Sequence, residues 1–286
     1  MLKHVGLMVT LAGLIGLAMF QPFLPGRYDA LAVTLSVMAQ LFAFAGLLWL
    51  PVAALWLVDE MRRRAAARRG RAYRSWATIY GWVSLGLGGL LALALAVPAA
   101  GNTGLSLGVV VLALAAYSLW RAARRLRARG QTGPGGFNAT PLYLLLVPLA
   151  ALGLRQAWLP GAVAFSRSYA IAQSAPFIHD IEAYRAANGH YPASLAALYR
   201  DYAPGLIGVA PYSYAPQGEA YIVYFELLAE DASAREVVAY HPHGAPEFTS
   251  HDSWIMLLTP AALEQARGYF AVYATPARGW MYFWFD

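Results

Sequence analysis

Long apolar runs separated by short polar loops fill the first half of the chain, and near residue 165 they give way to shorter segments of mixed period. Five runs predict membrane-crossing helices, at about residues 5–20, 30–58, 76–97, 105–120 and 141–158. About 20 apolar residues at 1.5 Å each cover roughly 30 Å of hydrocarbon. Pro51 predicts a kink in the second run. Gln21-Pro22 closes the first, and Ala18-Met19-Phe20 puts large residues where signal-peptide cleavage needs small ones, so this run is read as an uncleaved anchor, with a cleaved signal peptide as the alternative. Trp76, Trp120 and Trp158 stand at span ends, where amphipathic rings favour the interface.

After residue 165, Ile171, Ile178, Ile181 and Tyr184 keep a helical period up to a stop at Asn188-Gly189. Ser194, following Pro192, predicts a short second helix over residues 194–202. Strands are expected at residues 212–215, 220–228, 236–241, 253–258 and 280–285, with turns at Pro216-Gln217-Gly218 and Pro242-His243-Gly244. Apolar residues fall on both faces of 220–228, which predicts a central or doubly covered strand. The expected organisation is a five-span helical membrane domain over residues 1–165 and an α+β domain over 166–286 with a long N-terminal helix and an antiparallel sheet.

Composition narrows the class further. The chain of 286 residues is 59% hydrophobic and 13% charged, which excludes disorder and argues against an ordinary soluble domain. Without cysteine it has no disulfide, thiolate metal ligand or cysteine nucleophile. Charge divides along the chain: residues 1–165 hold 15 basic and 3 acidic side chains, residues 166–286 hold 6 and 12. The first excess lies in two loops, Arg62, Arg63, Arg64, Arg68, Arg69, Arg71 and Arg74 between the second and third runs, and Arg121, Arg124, Arg125, Arg127 and Arg129 between the fourth and fifth. Both are assigned to the cytoplasmic side, which places the N-terminus inside and residues 166–286 outside. The same arginines could instead recognise anionic lipid head groups. Because the basic residues alternate with apolar runs, no nucleic-acid partner is expected; the bilayer is the expected partner.

Candidate chemistry is sparse. Gln40 is the one strongly polar side chain deep in a span, Arg155 lies near the outer end of the fifth, where its stem can snorkel, and Asp59 sits at a cytoplasmic edge. Ser84, Gly88, Ala92 and Ala96, with Gly104 and Gly108, form rows of small residues suited to close helix packing. His241, His243, His251 and Asp252 include residue types that bind zinc, but His-Pro-His is not a ligand signature. Asp180 and Glu182 point about 200° apart on a helix and cannot form a catalytic pair. No catalytic, cofactor or metal residue is assigned. Trp280, Tyr282 and Trp284 in the terminal aromatic run belong to a core strand, a surface resting on the bilayer, or an interaction surface.

The segment from Ile181 to Leu198 carries a sharper word. Tyr184, Asn188, Gly189, Tyr191, Pro192, Leu195 and Leu198 fall in a helix end and loop that resembles the major pseudopilin of type II secretion, with its Y-x-x-x-x-G-x-Y-P-x-S/T-x-x-x-L pattern. The likeness covers roughly residues 166–228 and implies a type IV pilin-like fold. Two features depart from that family: its Asp-rich calcium loop has no counterpart, and four spans precede the helix that should come first. No cofactor is expected. The resemblance implies a bacterial inner-membrane protein displaying a periplasmic pseudopilin-like domain, with a structural or protein-interaction role among envelope or secretion proteins rather than enzymatic activity. The alternatives are a transporter or channel component, or a membrane-bound hydrolase or metal enzyme.

Overall fold

The computed structural model describes residues 2–129, 137–198, 200, 202–217, 219–229, 235–243 and 271–285. It is mostly helical, with an antiparallel sheet in the later part of the chain. The helices are α1 (Leu2–Phe20), α2 (Ala30–Ala45), α3 (Trp49–Arg68), α4 (Ala77–Thr103), α5 (Leu105–Arg129), α6 (Thr140–Gln173) and α7 (Ala175–Asn188). Among the described residues five helical segments are long and apolar enough to cross a membrane, with α2 and α3 forming one and α6 and α7 another. Leu14, Leu17, Leu90, Leu93, Val97, Leu105, Val109 and Leu114 are all more than half exposed, an apolar surface that water would not favour.

Prolines shape these helices in different ways. Pro51 has no N–H for the Leu47 carbonyl one turn back, and the ladder tightens just before it into a 3₁₀ turn over Gly46–Leu48. The expected kink therefore divides the second run into α2 and α3. Pro98, expected to begin a loop, instead lies inside α4, and the connection to α5 shrinks to Gly104, which has φ +97°. Pro148 and Pro160 also lie within α6. The helical path breaks only at Ser174, whose hydroxyl bonds the Ile171 carbonyl at 2.6 Å just ahead of Pro176.

The chain divides into two compact units, Met1–Met19 with Thr34–Ala157, and Phe20–Val33 with Trp158–Asp286. In the first, α4 and α5 pack along their small residues. A Cβ on Gly108 would stand 3.0 Å from Ala100 Cβ and 3.1 Å from the Ala96 carbonyl oxygen, so glycine allows the close approach. Gln40 is buried, donating to Ser36 Oγ at 3.4 Å, and Ser36 in turn donates to the Met19 carbonyl at 2.6 Å. Arg155 is buried with its guanidinium 4.4 Å from the Phe44 ring centre, rather than reaching away from the packed interior.

In the second unit, β1 (Ser213–Gln217), β2 (Ala220–Leu228), β3 (Arg235–Tyr240), β4 (Ala271–Ala274) and β5 (Trp280–Phe285) form a sheet in the order β1-β2-β3-β5-β4, every pair antiparallel. Tyr221, Val223, Phe225 and Leu227 of β2 join Phe177 and Ile181 of α7 in the main core, while Ile222 packs on the opposite face with Val237, Ala239 and Phe283. The strand is thus covered on both sides. The expected helix over residues 194–202 is a 3₁₀ turn, Leu195–Leu198, and the expected strand at 253–258 lies outside the described residues. The loop after α1 adds a short ladder: Gly26 N–H bonds the Gly205 carbonyl at 2.8 Å, Ile207 N–H the Leu24 carbonyl at 3.0 Å, and Asp29 N–H the Ile207 carbonyl at 2.9 Å.

Candidate functional site

The end of α7 follows from its residues. Gly189 takes the left-handed conformation at φ +76° and donates its N–H to the Arg185 carbonyl at 2.8 Å, while Asn188 Nδ2 donates to the Tyr184 carbonyl at 2.8 Å. Space around Gly189 is open, so the backbone angle alone favours glycine there. Tyr184 meets the His190 ring edge-on at 5.8 Å. The chain then folds back: Tyr191 is buried, and its ring meets Tyr221 of β2 edge-on at 4.8 Å. Such a contact adds about 0.5–1.5 kcal/mol beyond the area it buries.

Pro192 directs the exit, and its carbonyl accepts the Tyr214 hydroxyl of β1 at 2.8 Å. Leu195 and Leu198 pack on the same core. Polar groups are matched along this seam. Glu182 Oε1 accepts from Tyr221 at 2.9 Å and from Tyr191 at 3.5 Å, and Arg185 Nη1 donates to the Tyr191 hydroxyl at 2.8 Å with its guanidinium 4.6 Å from that ring. Asp180, on another side of α7, accepts from Arg200 at 2.9 Å and from Tyr202.

Burial, joined by the Glu182 hydrogen bond, pushes the Tyr221 hydroxyl far above the usual phenol range. Burial raises Tyr214 to about 12, and burial together with the bond to Asp180 raises Tyr202 to about 12. These phenols stay protonated at neutral pH and act as hydrogen-bond donors rather than bases.

A buried ion pair lies at the other end of the sheet. Glu236 of β3 has no exposed surface and receives a fork from Arg167 of α6, at 2.6 and 2.9 Å, and the Trp284 indole N–H at 2.8 Å. The Arg167 guanidinium also lies 3.6 Å from the Tyr282 ring centre. Tyr282 stacks on Tyr273 at 4.8 Å. Trp280 is buried between Tyr240 and Phe225, at 5.4 and 5.8 Å. Trp280 packs in the main core rather than on an exposed surface, and Tyr282 and Trp284 are half-buried.

His241 is buried, and its Nδ1 accepts the His243 N–H at 3.2 Å. Its Nε2 meets no partner among the described residues. Burial, reinforced by the neighbouring His243, lowers its pKa from the ordinary value. His251 and Asp252 lie outside the described residues, and among those described no three His, Cys, Asp or Glu side chains converge as metal ligands.

Two acids stand midway along α3, Asp59, which the sequence places at the cytoplasmic edge, and Glu60, which sequence reading did not single out. Asp59 accepts from Tyr73 at 2.9 Å, Ser75 at 2.5 Å and the Trp76 N–H at 3.4 Å, which ties down the start of α4. Glu60 accepts the Arg63 fork at 3.0 and 2.7 Å and the Asn138 N–H at 3.1 Å, just ahead of α6. The Glu60-Arg63 spacing was visible as a helical i,i+3 pair, whereas the distant donors were not. No protein-family model matches this chain, and no curated protein or solved structure is significantly similar to it.

Proposed function

We propose that this chain is a polytopic bacterial inner-membrane protein that holds a pseudopilin-like α+β domain on the periplasmic side, where it serves a structural or protein-interaction role in the envelope or in secretion. Five long apolar helices and their exposed aliphatic side chains support the membrane part of this reading. The two arginine-rich loops support the orientation. The observation that carries the domain assignment is the end of α7: a left-handed Gly189 followed by Tyr191 folded back onto Tyr221 of an antiparallel sheet, within the same word that resembles the pseudopilin. The matched polar groups of that seam suit a scaffold better than a catalyst.

In-cell photocrosslinking tests the role. A crosslinker at the exposed position Ala187 should capture discrete envelope or secretion proteins in the periplasm. Capture of cytoplasmic proteins alone would contradict the proposal.

A further inference from the structure

Within the first unit a cavity of about 610 Å³ opens among α3, α4, α5 and α6. Its wall is aromatic and apolar, with Trp49, Trp56, Tyr117 and Leu144, and Arg121 and Arg125 also line it. Those two arginines are exposed, and neither pairs with a carboxylate among the described residues. Among the described residues no acidic side chain lines the cavity, so its charge is uncompensated by that wall. Among the described residues the indole N–H of Trp56, 2% exposed, meets no acceptor, and the Ser84 hydroxyl is likewise unmatched. A buried donor left unmade costs free energy unless something supplies an acceptor.

We propose that this cavity binds one anionic phospholipid, with the phosphate held by Arg121 and Arg125, an ester carbonyl accepting from the Trp56 indole N–H, and an acyl chain lying along Trp49 and Tyr117. The proposal rests on the membrane orientation argued above, which puts the ends of α3 and α5 and the starts of α4 and α6 at the inner leaflet. That leaflet supplies both the anionic head group and the hydrocarbon. Arg121 and Arg125 are one helical turn apart, so both can face a single phosphate. Arg124 and Arg127 lie instead over the Trp120 and Trp82 rings, at 4.9 and 5.7 Å, and serve as internal controls.

Native mass spectrometry of the full-length protein, titrated in detergent with phosphatidylglycerol, phosphatidylcholine or inorganic phosphate, tests this. One phosphatidylglycerol should be retained per chain, with phosphatidylcholine and inorganic phosphate at least roughly tenfold weaker. R121Q/R125Q should weaken phosphatidylglycerol by about 30-fold, and R124Q/R127Q should bind like the wild type. Equal retention of the two lipids by the wild type overturns the proposal even if R121Q/R125Q does not fold, as does unchanged binding by a folded R121Q/R125Q. Recovery of the wild-type chain in carbonate-washed membranes, checked in parallel, separates this failure from failure of the membrane reading itself.

Discussion

Glu236 is enclosed and relies on the Arg167 fork and the Trp284 indole for its hydrogen bonds, so removing the guanidinium would leave a carboxylate where water cannot reach it. Arg167→Met should cost about 3–5 kcal/mol of stability, and Glu236→Gln less, since the guanidinium that loses this carboxylate is partly exposed and still rests on the Tyr282 ring. Chemical denaturation of the full-length protein in detergent, followed by near-ultraviolet circular dichroism, measures both. At His241 the effect depends on pH. Burial holds its folded pKa below the ordinary value of about 6.5, so on acidification the unfolded chain takes up the proton first. This contribution to stability is full above about pH 6.5 and is lost as pH falls through the lowered value. Melting curves between about pH 7.5 and 5 should show that decline, and His241→Gln should make it shallower. A His241→Gln slope identical to wild type would remove His241 from the account.

At the scale of elements, the five long apolar runs, the strand over residues 220–228 and the terminal strand were legible because period and apolar length reflect local burial. What was not legible depended on partners distant in sequence. Pro98 stays in α4 although local rules place it in a loop, and the Pro22–Asp29 stretch forms its ladder with residues 205–208 through backbone groups that leave no trace in side-chain type. Glu236 was readable only as a strand residue, because its counterpart Arg167 lies 69 positions away. The small-residue row on α4 and α5 was visible, and it yields a sharp contrast. Gly108→Val drives new atoms toward the Ala96 and Ala100 backbone, and should destabilise by about 1–3 kcal/mol. Gly101→Ala, which meets nothing within 4 Å, should leave thermal stability almost unchanged. Size-exclusion melting in detergent distinguishes them, and equal melting points would show that α4 and α5 do not depend on this contact.

For the whole molecule, the proposed arrangement makes both arginine loops cytoplasmic and residues 166–286 periplasmic. Charge bias argues for this because positive loops resist translocation, and the five membrane-length helices among the described residues agree with termini on opposite sides. The resemblance to pseudopilins, which are cut after a glycine ahead of their membrane helix and carry a glutamate five positions on, raises Gly136-Phe137 as a cleavage site; processing is not expected there, since the fifth position is Pro141 and cleavage would detach four spans. A single full-length band with or without prepilin peptidase is the expected outcome, and a peptidase-dependent shortened species would place the chain among filament formers. The absence of cysteine allows the most direct measurement, because each introduced thiol is the only one present. In cells with a permeabilised outer membrane, Ala187→Cys should react with a membrane-impermeant maleimide, whereas Arg71→Cys should react only after the inner membrane is opened. Labelling of Arg71→Cys in cells whose inner membrane is intact, or protection of Ala187→Cys, would contradict the proposed orientation of the molecule.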